Sequence, residues 1–284
     1  MSIAIVTDTA CNITPAQAEE LGVYLLPLEI TIDDQTYKDG FDISTEEFYE
    51  KMSKAENIPS TAQPKAGDAY TLYQELSESY DQILGIHLGS SVSGTVQSLK
   101  LVSNEVEGVD VTIYDTQLLS VPAGYLVIEA KKLIDQGKDI PEIIEHLDQL
   151  RDKSVAFAAF HTLDNLVESG RVPAVLGTVA KLAKIKPIIT IKASEQKGLD
   201  VTEKVRTSKR ANKKLIQLAQ DYIDSVDYPV QLDVAHGNIP EVAEEVKSEL
   251  NKLYPDETIN TYLLTSVIGA HSGPEIVGIF IAPR

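Results

Sequence analysis

The stretch Gln82-Ile83-Leu84-Gly85-Ile86-His87-Leu88-Gly89-Ser90-Ser91-Val92-Ser93-Gly94-Thr95-Val96-Gln97-Ser98 decides how the rest of the chain is read. Its first six residues are an apolar run, which predicts a buried parallel strand. Val96, Leu99, Leu101-Val102 and Val106 then follow a helical pattern. Between them lie two glycines, four serines with Ser98 included, and one threonine. A strand, a hydroxyl-rich turn and the first turn of a helix are therefore expected. Helix starts leave N–H groups unpaired and carry partial positive charge, so the junction is a natural seat for an anion. One capping hydroxyl would satisfy the helix, and this turn holds several. In open α/β sheets ligands bind beyond the carboxyl ends of strands, which makes the turn the first candidate site.

Upstream, Ile3–Asp8 reads as a short buried strand and Thr14-Pro15 starts a helix, with Pro at a first helical position. Tyr24–Ile32 reads as one strand interrupted at Pro27. Asp33-Asp34 reads as a turn and Tyr37–Gly40 as loop, while Ser44-Thr45-Glu46-Glu47 is a capping box opening a helix through Met52. Pro59 and Pro64 stiffen an extended loop that contains Thr61. A helix is expected from Gly67 to about Ser79.

Downstream, Val109–Tyr114 is a strand, and helices are expected over Val121–Asp135 and Pro141–Arg151. Val155–Phe160 is a strand and His161–Ser169 a helix, ahead of the break Gly170-Arg171-Val172-Pro173. A helix over Ala174–Lys184, strands Lys186–Ile191 and Leu199–Val205 around a Gly198 turn, and helix Ser208–Ile223 follow. Strand Val230–Ala235, helix Pro240–Leu253, strand Thr258–Leu264, a turn Ser266–Pro274 and strand Ile276–Ile281 close the chain. The alternation predicts an α/β fold of two domains. Residues 1–160 are expected to form an α/β/α domain with a parallel sheet, carrying the hydroxyl-rich site. Residues 161–284 are expected to form an α/β domain with a mixed sheet.

At 284 residues, 43% of them hydrophobic and 24% charged, the chain is long enough for a sizeable core. No apolar run approaches the ~18 residues of a membrane span. The opening Met1–Val6 lacks a basic flank and passes into a strand, so no signal peptide is expected. The single cysteine, Cys11, excludes an internal disulfide and fits a reducing cytosol, so a cytoplasmic location is expected. A net charge of −18 argues against nucleic-acid or anionic-membrane binding. The charge is uneven: Arg171 to Lys214 holds twelve Lys or Arg against three acids, a basic island pointing to a local anionic partner or a solvated face.

The five histidines stand far apart, without metal-ligand spacing, and no cofactor is expected. No nucleotide-binding glycine motif is present. A serine-hydrolase elbow needs Gly-x-Ser-x-Gly, and neither Ser91 nor Ser93 has those flanks. What remains is a set of neutral hydroxyls and one imidazole in loops of small residues: Thr61, Ser93 and His271.

These stretches carry a family resemblance. Ile5-Val6-Thr7-Asp8-Thr9, Thr61-Ala62-Gln63-Pro64, Ser93-Gly94-Thr95, Ser169-Gly170-Arg171, Lys186-Pro187, Val205-Arg206-Thr207 and Ala270-His271-Ser272-Gly273 resemble, in order, motifs of the DegV family of fatty-acid-binding proteins, which includes the FakB subunits of bacterial fatty-acid kinase. Three positions depart from the usual pattern: Ala62 for Ser, Gly89 for Ser and Ser91 for Gly. Asp115-Thr116 also stands where Asp-Ser is usual.

The resemblance implies a long-chain fatty acid bound between two domains, with its carboxylate held by Thr61, Ser93, Gly94, Thr95 and His271. It implies a substrate-presenting subunit without catalytic residues of its own, whose partner is an ATP-dependent kinase of the FakA type. Arg171 and Arg206 would face the acyl phosphate or that kinase. A stand-alone acyl hydrolase or transferase using Ser93 and His271, and a carrier or sensor without a kinase, are the alternatives.

Overall fold

The computed structural model describes residues 2–171, 185–193 and 199–284. The expected helix Ala174–Lys184, the Val172-Pro173 break and the Gly198 turn lie outside the described residues.

The quoted stretch forms strand β6 (Gln82–His87), a turn, and helix α4 (Thr95–Ser103). β6 lies inside a four-stranded parallel sheet, beside β1 (Ile3–Asp8), with β2 (Tyr24–Leu26) and β7 (Asp110–Asp115) at the edges, in the order β2-β1-β6-β7. The chain leaves β1 toward one edge and β6 toward the other. The carboxyl ends of these two strands therefore flank a topological switch point, where a crevice opens. Both faces are covered, as a parallel sheet requires. Ala4, Val6 and Ile83 pack with Tyr73 of α3 (Ala66–Leu76) and Leu99 of α4 on one face.

On the other face Ile5, Leu84 and Ile86 meet Leu126 and Val127 of α5 (Ser120–Asp135) and Ile143 and Leu147 of α6 (Ile140–Lys153). The same cluster contains Ala156 and Ile191, from a second sheet. That sheet is mixed and six-stranded, ordered β10-β9-β8-β13-β11-β12. Its strands are β8 (Val155–Phe160), β9 (Lys186–Ile191), β10 (Leu199–Val205), β11 (Val230–His236), β12 (Thr261–Leu263) and β13 (Ile276–Pro283). β11 and β12 pair parallel and the other neighbours antiparallel. Helices α8 (Ser208–Ser225) and α9 (Pro240–Leu253) cover its outer face through Leu215, Ala219, Val246 and Leu250. The fold is thus α/β in two domains, sharing α5 and α6 as a common filling. β8 lies within the six-stranded sheet although it precedes the division expected at residue 160.

The structure departs from the sequence reading in four places. The strand expected over Tyr24–Ile32 is split at Pro27-Leu28: β2 stays in the parallel sheet, and β3 (Glu29–Ile32) starts a separate one. Proline lacks the N–H a continuous ladder needs. The expected loops at Tyr37 and Thr61 complete that separate three-stranded sheet as β4 (Gln35–Lys38) and β5 (Ser60–Ala62), flanking β3 antiparallel. These strands are short and polar, so periodicity does not reveal them.

The expected helix His161–Ser169 is only the short α7 (Asp164–Glu168). Finally, the expected turn Ser266–Pro274 contains helix α10 (Ser266–Ser272). Gly269 reads as a turn signal, yet its lack of a side chain serves packing: a Cβ there would lie 2.5 Å from the Tyr49 hydroxyl of α2 (Thr45–Met52).

Candidate functional site

The crevice at the switch point opens into a cavity of about 270 Å³ walled by both domains. Leu28, Leu88 and Val92 come from the N-terminal side, and Phe160, Ile189 and Ile276 from the six-stranded sheet. The walls are mostly aliphatic. The polar lining is Thr61, Gln63, Ser93, Gly94, Arg171, His271 and Ser272, with Thr61 against His271 and Gln63 close to Gly94.

Each polar group is placed by a different element. Thr61 is the central residue of β5, paired with Ile30, which turns its hydroxyl toward α10. Its Oγ1 lies 2.7 Å from His271 Nε2 on the last turn of α10. Burial, followed by the nearby Arg171 charge, pushes the His271 pKa down to about 4, so the imidazole is neutral at physiological pH. His271 Nδ1 is buried and makes no hydrogen bond. Arg171 is exposed at the rim and donates to the Ser169 carbonyl over 2.6 Å. One cation at the mouth thus attracts an anion and discourages a second cation from forming beneath it.

The Ser-rich turn divides its hydroxyls between structure and site. Ser90 is bound to Asp115, N–H to Oδ1 at 3.1 Å and hydroxyl to Oδ2 at 2.5 Å. That pair ties the turn to the end of β7. Gly89 fits because the Gln117 backbone is close: a Cβ would lie 2.8 Å from the Gln117 carbonyl carbon, so this departure from the familiar motif matches its surroundings. Ser93, by contrast, lines the cavity. Its Oγ accepts the Thr95 N–H at 3.2 Å and lies 2.9 Å from Thr95 Oγ1. Gly94 precedes α4 with no capping side chain of its own, and Ser93 takes the first helical N–H, that of Thr95.

Two expected site residues stand elsewhere. Thr95 is fully buried and meets the cavity only through Ser93. Arg206 is exposed and does not line the cavity. The sequence reading also missed Gln63 and the aliphatic walls, which are core-like residues spread over both domains and carry no local signal. The acyl-transfer dyad is not formed either: the hydrogen-bond partner of His271 is Thr61, not Ser93. Among the described residues no cluster of three His, Cys, Asp or Glu side chains is placed to hold a metal, and no helix is long and apolar enough to cross a membrane.

The fold that frames this cavity is shared with proteins of known structure. The chain superposes on DegV of Bacillus subtilis, described as a fatty acid binding protein, with TM-score 0.89, 29% identity and full coverage of both chains. It matches a fatty acid binding DegV family protein of Streptococcus agalactiae with TM-score 0.90 and 27% identity over 100% of this chain and 99% of the other. In sequence it is 34% identical to a DegV domain-containing protein of Halalkalibacterium halodurans, covering 98% of this chain and 97% of that one. The model of the family described as "Uncharacterised protein, DegV family" matches residues 2–284. Fold and sequence agree over the whole length: the chain belongs to the DegV family.

Proposed function

We propose that the chain binds a long-chain fatty acid in the interdomain cavity, carboxylate at Thr61 and Ser93, tail along the aliphatic walls. The observation that carries this reading is the make-up of the cavity: a mostly aliphatic lining with the Thr61 and Ser93 hydroxyls and the neutral His271 imidazole among its few polar groups. About fifteen methylenes at ~0.8 kcal/mol each contribute on the order of 10 kcal/mol, so the tail dominates affinity. The head must be desolvated, and its partners offset that cost. Thr61 has one proton to give. To donate it to a carboxylate, Thr61 must accept from His271, which selects the tautomer with the proton on Nε2. The Ser93 hydroxyl, which accepts the Thr95 N–H and keeps its own proton, supplies a further donor. Neutral donors hold a carboxylate without quenching its nucleophilicity as a bidentate guanidinium would.

The finer reading is that of a FakB-type subunit in the cytoplasm, whose fatty acid is phosphorylated by a separate ATP-dependent kinase of the FakA type. Arg171 at the mouth suits the acyl phosphate, and exposed Arg206 suits the kinase surface. We place the boundary between the two domains ahead of β8, with the ligand seated at that boundary. A carrier without a kinase would share the cavity but have no use for Arg206.

Mass spectrometry of ligand released by denaturation tests the first claim, and about one fatty acid per chain is expected. Recovery of a nucleotide or sugar phosphate would end the reading. For the second claim, Arg206→Ala should retain the fatty acid while acyl-phosphate formation with the kinase falls at least tenfold, or ~1.4 kcal/mol in the transition state. Unchanged turnover would remove Arg206 from the kinase surface, and no acyl phosphate from the wild type would assign the protein to the carriers.

A further inference from the structure

A second cleft opens between the domains, distinct from the cavity assigned to the fatty acid: no described residue lines both. Its volume is about 480 Å³. One wall is α1 (Pro15–Leu21) with α5, and the other is β11, β12 and β13 of the six-stranded sheet. Tyr125 and Phe280, with ring centroids 5.9 Å apart, and Tyr262 give it carbon surface. Three carboxylates share the same lining: Glu20 of α1, Glu129 of α5 and Asp233 of β11.

Asp233 is the telling member. It is 7% exposed, and its Oδ1 accepts both the backbone N–H and the side-chain amide of Asn260, each at 3.0 Å. Its Oδ2 has no hydrogen-bond or ion-pair partner among the described residues and is not sealed in by protein, so it opens on the cleft that Asp233 lines. Lys247 of α9 favours the Asp233 charge from nearby but forms no ion pair with it. A carboxylate taken out of water with one oxygen unmatched costs free energy unless a cation or donor meets it. Among the described lining residues the sole cation is Lys132, already held by Glu129 at 2.6 Å. Glu20 is exposed and makes no ion pair or hydrogen bond through its side chain among the described residues. The cleft thus presents two unmatched carboxylates beside aromatic and aliphatic carbon.

We propose that this cleft binds a small organic cation of the polyamine class, with one ammonium at Asp233 Oδ2, methylenes along Tyr125, Tyr262 and Phe280, and a second ammonium toward Glu20. An ammonium only donates hydrogen bonds, and it meets acceptors that lack donors. The methylenes between its charges gain from burial on carbon walls, and the charge itself is attracted to aromatic faces. A hydrated metal ion would use the carboxylates and leave the carbon idle. An anion would meet charge of its own sign. The site stands apart from the fatty-acid reading, and neither depends on the other.

Titration calorimetry of the full chain with spermidine tests the proposal, at roughly 0.15 M salt so that exposed acids are screened. One spermidine per chain is expected. The net charge of −18 invites loose binding elsewhere, so variants must separate the cleft from the general surface. Asp233→Asn can keep an acceptor for Asn260 while removing the charge, and should weaken binding at least about tenfold. Glu20→Gln alters an exposed, unpaired side chain that the fold does not need, and should weaken it about threefold. Glu244→Gln combined with Glu245→Gln, on α9 and outside the cleft lining, should leave binding unchanged. In two-dimensional NMR of the wild type, the Asn260 side-chain amide should shift as spermidine is added. If Asp233→Asn does not fold, Glu20→Gln and the Asn260 amide decide the matter. Absence of binding, affinity unchanged in Glu20→Gln, an unmoved Asn260 amide, an equal loss in the α9 variant, or displacement by an equal concentration of Mg²⁺ overturns the inference.

Discussion

Two histidines in this protein have opposite fates. His87 ends β6, fully buried, with Nδ1 3.0 Å from Asp8 Oδ2. The same carboxylate takes the Leu88 N–H at 3.1 Å and, through Oδ1, the Ala10 N–H at 3.0 Å. This pair fastens the carboxyl ends of β1 and β6 to the turns that follow them. His271 is half-buried, has a hydroxyl partner instead of a carboxylate, and lines the cavity. A carboxylate commits its imidazole to structure. A hydroxyl can pass the interaction on, because it accepts from one partner and donates to another. His87 lies in the core behind the turn and His271 on the cavity wall, so location and partner together separate framework from site.

The largest effect should come from the framework. Asp8→Ala strands His87 and two backbone donors in a dry interior, and urea unfolding should show a loss of about 3–5 kcal/mol. A loss below ~1 kcal/mol would break the contrast, since the pair would then be no more structural than His271.

A second prediction sets two titratable groups against each other, the buried Asp39 after β4 and His271. Asp39 has its pKa raised from 3.8 to about 6 by burial. Its contribution is present below the ordinary carboxylate value and lost as pH rises through 6. His271 is lowered from 6.5 to about 4, so its contribution is present above 6.5 and lost as pH falls through 4. The two oppose each other across nearly the same window. Relative to wild type, Asp39→Asn should therefore gain about 3 kcal/mol between pH 4 and pH 7. His271→Gln should trend the other way, and parallel stability curves for all three proteins would contradict both assignments.

Smaller effects separate hydroxyls within the site. Thr61→Val keeps the shape and removes the relay, and fatty-acid affinity should drop about tenfold, or ~1.4 kcal/mol, with little change in Tm. Ser90→Ala and Ser93→Ala sharpen the division within one turn. Ser90→Ala should cost about 0.5–1 kcal/mol of stability by freeing Asp115 and leave ligand retention within twofold. Ser93→Ala should weaken retention with the fold intact. Equal behaviour of the two serines would dissolve the distinction drawn between them.

The central strand, the turn and α4 were legible in the sequence because an apolar run, a hydroxyl cluster and a 3.6-residue period follow one another without interruption. The same local signals marked Thr61, Ser93 and His271 as candidates. Only the tertiary structure decided what these residues do. It paired His271 with Thr61 across 210 positions of chain and gave Ser90 to Asp115. It also made a helix of Ser266–Ser272, where Gly269 serves a close approach to Tyr49, and lifted β3, β4 and β5 into a sheet of their own. Periodicity reports how a segment contacts a core on average, so it finds strands and helices that bury a face. Partner choice for a single hydroxyl or imidazole depends on which distant backbone arrives beside it, and that is set by packing of the whole chain.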